Sequence, residues 1–352
     1  MKLALTAFTR KGADLAGRLA RALEGEGDRC ETAFPRRLAG ELGAAAYPDL
    51  KGWTAERFPQ VDGFVFVGAC GIAVRAVAPL LRDKFTDPAV VAVDELGRFA
   101  VPLVSGHVGG ANDLARRIAA ATGGAPVVST ATDVNGLFAV DQWAAREGLY
   151  LDSRTAAKHI SAALLAGEPV WLQSDIPIQG ELPPGVRRGT GPLGIYITAG
   201  TGEAPFGECL RLVPRILALG IGCRRGTPAE RIGAAVDRAL SGHGLSPRAV
   251  QGAYTIDRKG DEPGLLAFCR ERELPLATYT AEELRRVPGA FTASPFVVSV
   301  TGVDNVCERA AVLAGGELIV RKQAAEGVTV AVSRLPRVLR FDGYTDREGE
   351  DI

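Results

Sequence analysis

Short, continuously apolar segments of strand type alternate with helical segments along much of the chain, and this alternation restricts the fold more than any other feature. The first third has strand signals at residues 2–9, 61–69, 89–95, 99–105 and 125–132. Between them, apolar residues recur at helical spacing at residues 11–27, 72–83 and 110–123. Strands that are apolar throughout are typical of a mostly parallel sheet covered on both faces. We therefore predict an α/β fold for this part of the chain.

A second pattern of the same kind begins near residue 216. Its predicted strands are residues 216–222, 249–257, 296–303, 317–323 and 327–333. Its predicted helices are residues 227–244, 262–273 and 305–316. The first of these helices has three start signals, since Thr227 can act as N-cap, Pro228 suits the first helical position and Glu230 completes a capping box.

The stretch between the two patterns has weaker signals, with one readable helix, one readable strand and a loop rich in glycine and proline. We predict an N-terminal, mostly parallel α/β domain, a small middle domain, a C-terminal α/β domain and a charged tail. Their predicted bounds are 1–136, 137–214, 215–335 and 336–352. A chain of 352 residues is long enough for two or three such domains.

The charge balance and the cysteines exclude several classes of protein. Lysine plus arginine equals aspartate plus glutamate at 41 each, so no overall field attracts nucleic acid or an anionic membrane. The six cysteines are scattered singly, which argues against a zinc ribbon or a redox dithiol and fits free thiols in a reducing compartment. The apolar run at the N-terminus is too short for a secretory signal, and no run of about 18 apolar residues exists. We expect a soluble, cytoplasmic protein.

Polar residues and glycines gather where the predicted strands end, which is where α/β sheets bind ligands. In the N-terminal domain these residues are Cys70, Gly71, Asp94, Glu95, Ser105, His107, Thr132, Asp133 and Asn135. In the C-terminal domain they are Gly222, Arg224, Arg225, Thr227, Asp257 and Lys259. The two sets predict two loop-bearing faces that clamp a ligand.

His107 is the most conspicuous of these residues, because it lies in a glycine-rich turn ahead of a predicted helix that starts near Asn112. Gly109 and Gly110 let the backbone approach a ligand closely, and the free N–H groups of a helix start favour an anion. An imidazole can take or give a proton near neutral pH. Alternatively, His107 only closes the turn through a hydrogen bond to the backbone.

Other candidates also have two interpretations. Asp94, Glu95 and Asp133 can orient His107 or act as bases, or they can serve as turn-forming residues. Cys70 begins a helical segment that can activate it as a nucleophile, or it is a small buried thiol. Arg75, one turn further on, pairs with a carboxylate or faces solvent.

The glycine-containing segment at 220–226 lies between a predicted strand and a predicted helix. Its third glycine is one position late for a dinucleotide fingerprint, and the acidic residue expected about 20 residues later is missing. Arg224 and Arg225 at the helix start favour an anion of any identity, or are simply exposed. The segment is thus an imperfect dinucleotide motif that can still bind an anion, and a nicotinamide-dependent reductase stays an alternative function.

The run from Gly68 to Gly136 resembles the N-terminal domain of the CbiG family, the cobalt-precorrin-5A hydrolases of anaerobic cobalamin synthesis. The segments 217–232, 255–269 and 299–323 resemble the C-terminal domain of that family, and the weaker stretch corresponds to its middle domain. Ala69 stands where the family pattern has glycine, and an Ala-Tyr pair precedes Thr255. The resemblance covers nearly the whole chain.

The resemblance implies that water opens a δ-lactone on the macrocycle and that a two-carbon unit leaves as acetaldehyde. Such a reaction needs a base for water, donors for the oxyanion and an acid–base group for the carbon–carbon cleavage. Cobalt is carried by the substrate, so no resident cofactor or protein-held metal is implied.

From this chemistry we expect His107 to be the general acid–base, oriented by Asp133 or Asp94, with Glu95 as another catalytic candidate. The substrate carries several carboxylates, which suit arginine, lysine and helix starts. The expected substrate-binding residues are Cys70, Gly71, Arg75, Ser105, Gly109, Gly110, Asn112, Thr132, Asn135, Gly222, Arg224, Arg225, Thr227, Asp257 and Lys259.

The expected partner is cobalt-precorrin-5A, with transient contacts to neighbouring corrin-pathway enzymes and none to nucleic acid or membrane. A non-catalytic tetrapyrrole carrier and a precorrin methyltransferase stay open as alternatives. Neither alternative function includes the release of acetaldehyde, so this release distinguishes the hydrolase from both.

Overall fold

A computed structural model describes residues 1–83, 86–106 and 109–341, with only the backbone at Phe296. The chain divides into two compact units, one at residues 1–142 and the other from residue 143 onwards. Elements are numbered in chain order.

The first unit has strands and helices that alternate as the sequence predicts. Its strands are β1 (Lys2–Ala7), β2 (Arg29–Thr32), β3 (Phe34–Pro35), β4 (Ala46–Tyr47), β5 (Gly63–Val67), β6 (Ala89–Val93), β7 (Phe99–Val104) and β8 (Ala125–Pro126). Its helices are α1 (Arg10–Gly25), α2 (Arg36–Leu42), α3 (Leu50–Arg57), α4 (Cys70–Val77), α5 (Ala111–Thr122) and α6 (Ala131–Val134), followed by α7 (Val140–Arg146) at the unit boundary.

The main sheet of this unit has the order β2-β1-β5-β6-β7-β8, and all neighbours are parallel except β6 and β7. The central strands β1, β5 and β6 are buried on both faces, because alternate side chains enter different cores. Val65 and Val67 pack with α1 and α5, whereas Phe64 and Phe66 pack with α3 and α4. This two-sided burial explains why the strand segments are apolar throughout.

The reversed direction of β7 separates the loops of this unit into two groups. Val90 pairs with Val104 and Val93 pairs with Ala100, so β7 ends beside the start of β6. We call the edge that carries the loops after β1, β5 and β6 the first edge, and the edge that carries the loops after β7 and β8 the second edge. At about 3.3 Å per residue, five-residue strands hold the two edges roughly 16 Å apart.

The second unit contains two five-stranded sheets. Its strands are β9 (Leu149–Leu151), β10 (Val170–Ser174), β11 (Ile178–Gln179), β12 (Val186–Arg188), β13 (Leu193–Ile197), β14 (Glu208–Pro214), β15 (Leu217–Cys223), β16 (Val250–Ile256), β17 (Leu276–Tyr279), β18 (Glu317–Ala325), β19 (Val328–Arg334) and β20 (Leu339–Arg340). Its helices are α8 (Arg154–Leu165), α9 (Ala229–Ser241), α10 (Pro263–Glu271), α11 (Ala281–Arg286), α12 (Pro295–Thr301) and α13 (Val306–Leu313).

The middle sheet has the order β12-β10-β13-β14-β9, with only β9 antiparallel to its neighbour. The C-terminal sheet has the order β17-β16-β15-β19-β18, in which β15, β16 and β17 are parallel and β18 and β19 form an antiparallel hairpin. Helix α13 packs directly on β15. A Cβ on Gly220 would lie 1.8 Å from the carbonyl oxygen of Cys307, so only glycine permits this approach.

Two local predictions are wrong. Residues 296–303 were expected to form a strand, yet Pro295 opens the short helix α12 there, and an apolar run of this length fits either structure. Helix α9 begins after Pro228 without a side-chain cap, and the Thr227 hydroxyl donates to the Arg224 carbonyl oxygen at 2.8 Å instead of forming the expected capping box.

The start of the predicted tail is ordered. Leu339 pairs with Ile178 across β20 and β11, and the rings of Phe341 and Trp143 stack with centroids 4.6 Å apart. The indole N–H of Trp143 donates to the Arg340 carbonyl oxygen at 2.8 Å. These contacts attach the segment to the middle region. The rest of the predicted tail, residues 342–352, lies outside the described residues.

Candidate functional site

A cavity of about 1050 Å³ opens at the C-terminal ends of β15 and β16 in the second unit. Further residues of its wall come from the turn after β15, the turn after β16, the β18–β19 hairpin, α12 and the start of α13. The hairpin reaches the cavity because β19 runs antiparallel to β15 and Val328 pairs with Cys223. The volume lies at the upper end of the roughly 300–1,000 Å³ typical of ligand pockets, which suits a large ligand.

Cationic side chains outnumber carboxylates in the cavity wall. The cations are Arg224, Arg225, Arg258, Lys259 and Lys322, and the carboxylates are Asp257, Asp261 and Glu326. Lys259 pairs with Glu262, and Glu326 pairs with Arg231 at 3.7 Å. Within the described part of the chain, the other four cations have no carboxylate within ion-pair distance. Unpaired cations around a cavity favour an anionic ligand.

A buried carboxylate holds the turn after β15. Glu262 Oε1 accepts the Gly226 N–H at 2.6 Å, and Oε2 accepts from Lys259 Nζ at 2.9 Å. Burial raises the pKa of Glu262, but the hydrogen bonds from Lys259 and Gly226 outweigh it and hold the pKa below its ordinary value of 4.5. The ionised carboxylate therefore fixes two of the loops that form the cavity.

The N–H groups of the turn just before α9 are already engaged. The N–H of Gly226 donates to Glu262, the N–H of Thr227 donates to the Arg224 carbonyl oxygen at 3.3 Å, and Pro228 has no N–H. Thr227 is buried and absent from the cavity wall, and its role in substrate binding stays a prediction. The other predicted residues of this unit, Gly222, Arg224, Arg225, Asp257 and Lys259, all line the cavity.

Part of the cavity wall is apolar. Val297 and Val300 of α12 line the cavity, and so do Ala324 and Ala325 of β18. Arg258 Nη1 donates to the Val300 carbonyl oxygen at 2.8 Å and so ties α12 to the turn after β16. The contribution of α12 to the wall was not foreseen, because the sequence predicts a strand at residues 296–303.

The two thiols of the cavity are not nucleophiles at neutral pH. Burial raises the pKa of Cys307 to about 11, and burial also raises the pKa of Cys223, although Lys259 acts in the opposite direction. A raised pKa keeps both thiols protonated near neutral pH, where they are weak nucleophiles.

In the first unit, the residues of the first edge form turns and an exposed surface. Asp94 Oδ1 and Oδ2 accept the N–H groups of Leu96 and Phe99 at 2.9 and 2.6 Å, which closes the turn between β6 and β7. Glu95 accepts from the Thr9 hydroxyl at 2.8 Å. Three further predicted residues on this edge are exposed at the start of α4: Cys70, Gly71 and Arg75.

The second edge holds a polar network at the start of α5. The buried Asn112 donates through Nδ2 to Thr130 Oγ1 at 3.1 Å and to Asp133 Oδ2 at 3.0 Å. Arg116 Nη2 donates to Asp133 Oδ1 at 2.5 Å. The network fixes the Asp133 carboxylate against α5. Thr132 is buried on α6, and Asn135 closes the end of α6 by donating to the Ala131 carbonyl oxygen at 2.8 Å.

Ser105 has an unusual environment in the loop between β7 and α5. Its φ of +57° is in the left-handed region, it is 7% exposed, and its buried hydroxyl has no hydrogen-bond partner among the residues that the structure describes. The loop is tightly packed, since a Cβ on Gly109 would lie 2.3 Å from Ser105 Cβ. The carbonyl oxygens of Ser105 and Gly106 accept the N–H groups of Ala111 and Asn112 at 3.1 and 3.0 Å. Those two N–H groups of the α5 start are thus already satisfied, and Gly110 at φ +83° is the N-cap.

His107 lies outside the described residues, so its proposed role stays a prediction. Asp94 and Glu95 lie on the first edge, whereas Ser105 and Gly106 lead into the second. The orienting role of Asp94 and the catalytic role of Glu95 stay predictions.

Two cations that line the cavity were missed in the sequence analysis, namely Arg258 and Lys322. Arg258 directly follows the predicted Asp257, so its place at a strand end was a usable signal. Lys322 is in the middle of β18, where only the hairpin geometry places it beside the cavity.

Among the described residues, no group of three or more His, Cys, Asp or Glu side chains is arranged to hold a metal ion. None of the helices in the same residues is both long and apolar enough to cross a lipid bilayer.

Three segments of the chain match domain families of cobalamin synthesis. Residues 52–133 match the family described as Cobalamin synthesis G N-terminal, residues 138–214 match Cobalamin biosynthesis central region, and residues 217–333 match Cobalamin synthesis G C-terminus. The three occur in the order of the two α/β patterns and the weaker stretch between them.

Curated relatives are similar along most of their length. The cobalt-precorrin-5A hydrolase of Salmonella typhimurium is 35% identical over 346 residues, covering 94% of this chain and 97% of that protein. The cobalt-precorrin-5A hydrolase of Priestia megaterium is 31% identical, covering 79% of this chain and 80% of that protein. A crystal structure of a cobalamin biosynthesis protein G homolog from Sulfolobus solfataricus is 20% identical with a TM-score of 0.43, covering 95% of this chain and 97% of that one.

Proposed function

The chain belongs to the CbiG family, and on that premise we propose that it is a hydrolase that converts cobalt-precorrin-5A to cobalt-precorrin-5B in anaerobic cobalamin biosynthesis. The observation that carries the proposal is the 35% identity to a protein of that name over 94% of the chain. Water opens the δ-lactone of the macrocycle, and the extruded two-carbon unit leaves as acetaldehyde.

The second edge of the first unit supports the chemical steps. It combines a fixed carboxylate, Asp133, with the glycine-rich loop that contains His107. In the proposed reaction His107 takes a proton from the attacking water and later supplies one for the carbon–carbon cleavage, and Asp133 holds it in place. Asp94 and Glu95 hold the turn between β6 and β7 and the loop after β1.

The cavity of the second unit supports the recognition of a large polycarboxylate. Cobalt enters with the substrate, and the proposal includes no resident cofactor. The proposed location is the cytoplasm, where the free cysteines stay reduced. There the enzyme receives the macrocycle from neighbouring corrin-pathway enzymes in transient contacts and passes it on to others.

The test is incubation of the purified protein with cobalt-precorrin-5A, with trapping of the released aldehyde and mass analysis of the corrinoid. The proposal requires stoichiometric acetaldehyde and a product that lacks the two-carbon unit. The variant His107→Asn should release almost no acetaldehyde and still bind the corrinoid. A wild-type protein that binds the corrinoid without releasing aldehyde would be a carrier, and the proposal would be wrong.

A further inference from the structure

Among the described residues, four cations of the cavity wall lack an ion pair, and they come from three separate segments. Arg224 and Arg225 follow β15, Arg258 follows β16, and Lys322 belongs to β18. Each can make its own charge-assisted contact with an anionic group. Four such cations in the wall of a large cavity suit a ligand that carries more than one anionic group.

These cations are attached to loops that are tied to one another. The N–H of Arg224 donates to the Gly327 carbonyl oxygen at 3.0 Å, which joins the turn after β15 to the hairpin. Arg258 is bonded to α12, and Glu262 joins Lys259 to Gly226. A wall held in this way loses less conformational entropy when a ligand binds.

Apolar residues of the cavity wall complement these charges. Val300 is 51% exposed and Val298 is 46% exposed on α12, but only Val300 lines the cavity. An exposed valine in the same wall as four cations fits a ligand with an apolar body and anionic substituents.

Two carboxylates of the wall oppose an anionic ligand. Asp257 accepts the Arg258 N–H at 2.7 Å, and neither Asp257 nor Asp261 forms an ion pair with a lysine or arginine among the residues the structure describes. After the ion pairs are discounted, four cations face two carboxylates, so the wall retains a positive excess.

We propose that this cavity binds the carboxylate-bearing rim of a tetrapyrrole macrocycle and selects ligands by their number of carboxylates. The choice of a tetrapyrrole rests on the proposed function, whereas the preference for a polycarboxylate rests on the cavity itself. Val300 contacts the face of the ring, and Arg224, Arg225, Arg258 and Lys322 bind carboxylates at different positions on its rim.

The test uses fluorescent porphyrins that differ in carboxylate number: uroporphyrin III, an octacarboxylate, coproporphyrin III, a tetracarboxylate, and mesoporphyrin, a dicarboxylate. Affinity for the full-length protein should fall in that order and should weaken as salt is raised. An equal affinity for all three, or tighter binding of the dicarboxylate, overturns the proposal. NADH and ATP serve as competitors, and displacement of uroporphyrin by either at equal concentration also overturns it.

Single substitutions assign the binding to the cavity. Arg224→Ala, Arg225→Ala and Lys322→Ala should each weaken uroporphyrin binding about tenfold, since each removes one charge-assisted contact. Asp261→Asn should strengthen binding. Arg238→Ala is the matched control, because Arg238 is exposed on α9 and lies outside the cavity wall. Wild-type affinity in all three alanine variants would place the ligand elsewhere.

Two neighbouring valines test the apolar wall. Val300→Asp places a negative charge in the cavity and should weaken uroporphyrin binding at least tenfold, whereas Val298→Asp should leave it unchanged. If both variants weakened uroporphyrin binding equally, the loss would come from disturbed folding of α12 and not from a contact between Val300 and the ligand. These measurements do not depend on turnover. A protein that binds porphyrins as described but releases no acetaldehyde from cobalt-precorrin-5A refutes the proposed function and leaves this inference intact.

Discussion

Glu262 and Lys259 form an ion pair whose carboxylate is buried, with 2.9 Å between Oε2 and Nζ, and the other carboxylate oxygen accepts the N–H of Gly226. The pair joins the turn after β16 to the turn after β15 on the cavity wall. Since neither turn belongs to a helix or strand of the sheet, the carboxylate is the main polar link between them.

We expect Glu262→Gln to lower the free energy of unfolding at pH 7 by about 2–4 kcal/mol, because Lys259 loses its counter-charge. The pKa of Glu262 in the folded protein is depressed below 4.5, so its stabilising effect is present above pH 4.5 and is lost as the pH falls through the folded-state pKa. The difference between wild type and variant, measured by urea unfolding, should therefore shrink below pH 4.5. A difference that is constant across this range would show that the charge of Glu262 is irrelevant.

Because Asp133 and Asp94 lie on different edges of the sheet in the first unit, we expect their substitution to affect different properties. Asp133→Asn should lower the kcat of acetaldehyde release about 100-fold with little change in KM, because the carboxylate belongs to the edge that carries the His107 loop. Asp94→Asn should lower stability by about 1–2 kcal/mol, because it weakens the bonds to Leu96 and Phe99, and should leave kcat near the wild-type value.

Glu95→Gln is the control for this pair, since Glu95 is on the same edge as Asp94 and contacts only the Thr9 hydroxyl among the bonds observed in the described chain. If Asp94→Asn or Glu95→Gln reduced kcat as much as Asp133→Asn, the assignment of the chemistry to the second edge would be wrong.

The strained, unpartnered Ser105 predicts a gain in stability upon substitution. Ser105→Gly relieves the left-handed backbone strain and removes a buried hydroxyl without a partner, and should raise the free energy of unfolding by about 1 kcal/mol after the larger entropy of an unfolded glycine is subtracted. Ser105→Ala removes the hydroxyl but keeps the strain, so its gain should be smaller. Destabilisation in both variants would show that the hydroxyl has a partner in solution.

The ring stack between Trp143 and Phe341 predicts that the last described segment stabilises the second unit. Phe341→Ala should cost about 3–4 kcal/mol, because it leaves a cavity beside the buried Trp143. Val338 is 45% exposed on the same segment, and Val338→Ala should change stability by less than about 0.5 kcal/mol. Tryptophan fluorescence during urea unfolding measures both variants, and similar values for the two would contradict the packing role of Phe341.

The sequence predicted which segments form strands and helices better than it predicted the relative directions of the strands. The segments that became β1, β5, β15 and β19 were recognisable because burial on both faces requires apolar residues throughout. The antiparallel direction of β7 was not recognisable, since strand composition is the same for both directions. Asp94 and Asp133 were therefore both candidates for one role, whereas the structure places them on different edges of the sheet.

Part of the candidate cavity could also be predicted from the sequence. Residues at strand ends, such as Arg224 and Asp257, follow from the order of elements along the chain. Lys322 and Val300 reach the cavity only through the hairpin of β18 and β19 and through a helix that resembles a strand in composition. Such contacts depend on tertiary packing, which the local pattern does not contain.

The pairing of β11 with β20 has a consequence for biosynthesis of the chain. A growing polypeptide leaves the ribosome from its N-terminus, and its domains ordinarily fold in that order. In this chain Ile178 pairs with Leu339, which is synthesised 161 residues later. The middle region therefore acquires this pairing only when synthesis is almost complete. A chain that terminates after the C-terminal sheet but before Leu339 therefore has a middle region without the β11–β20 pairing.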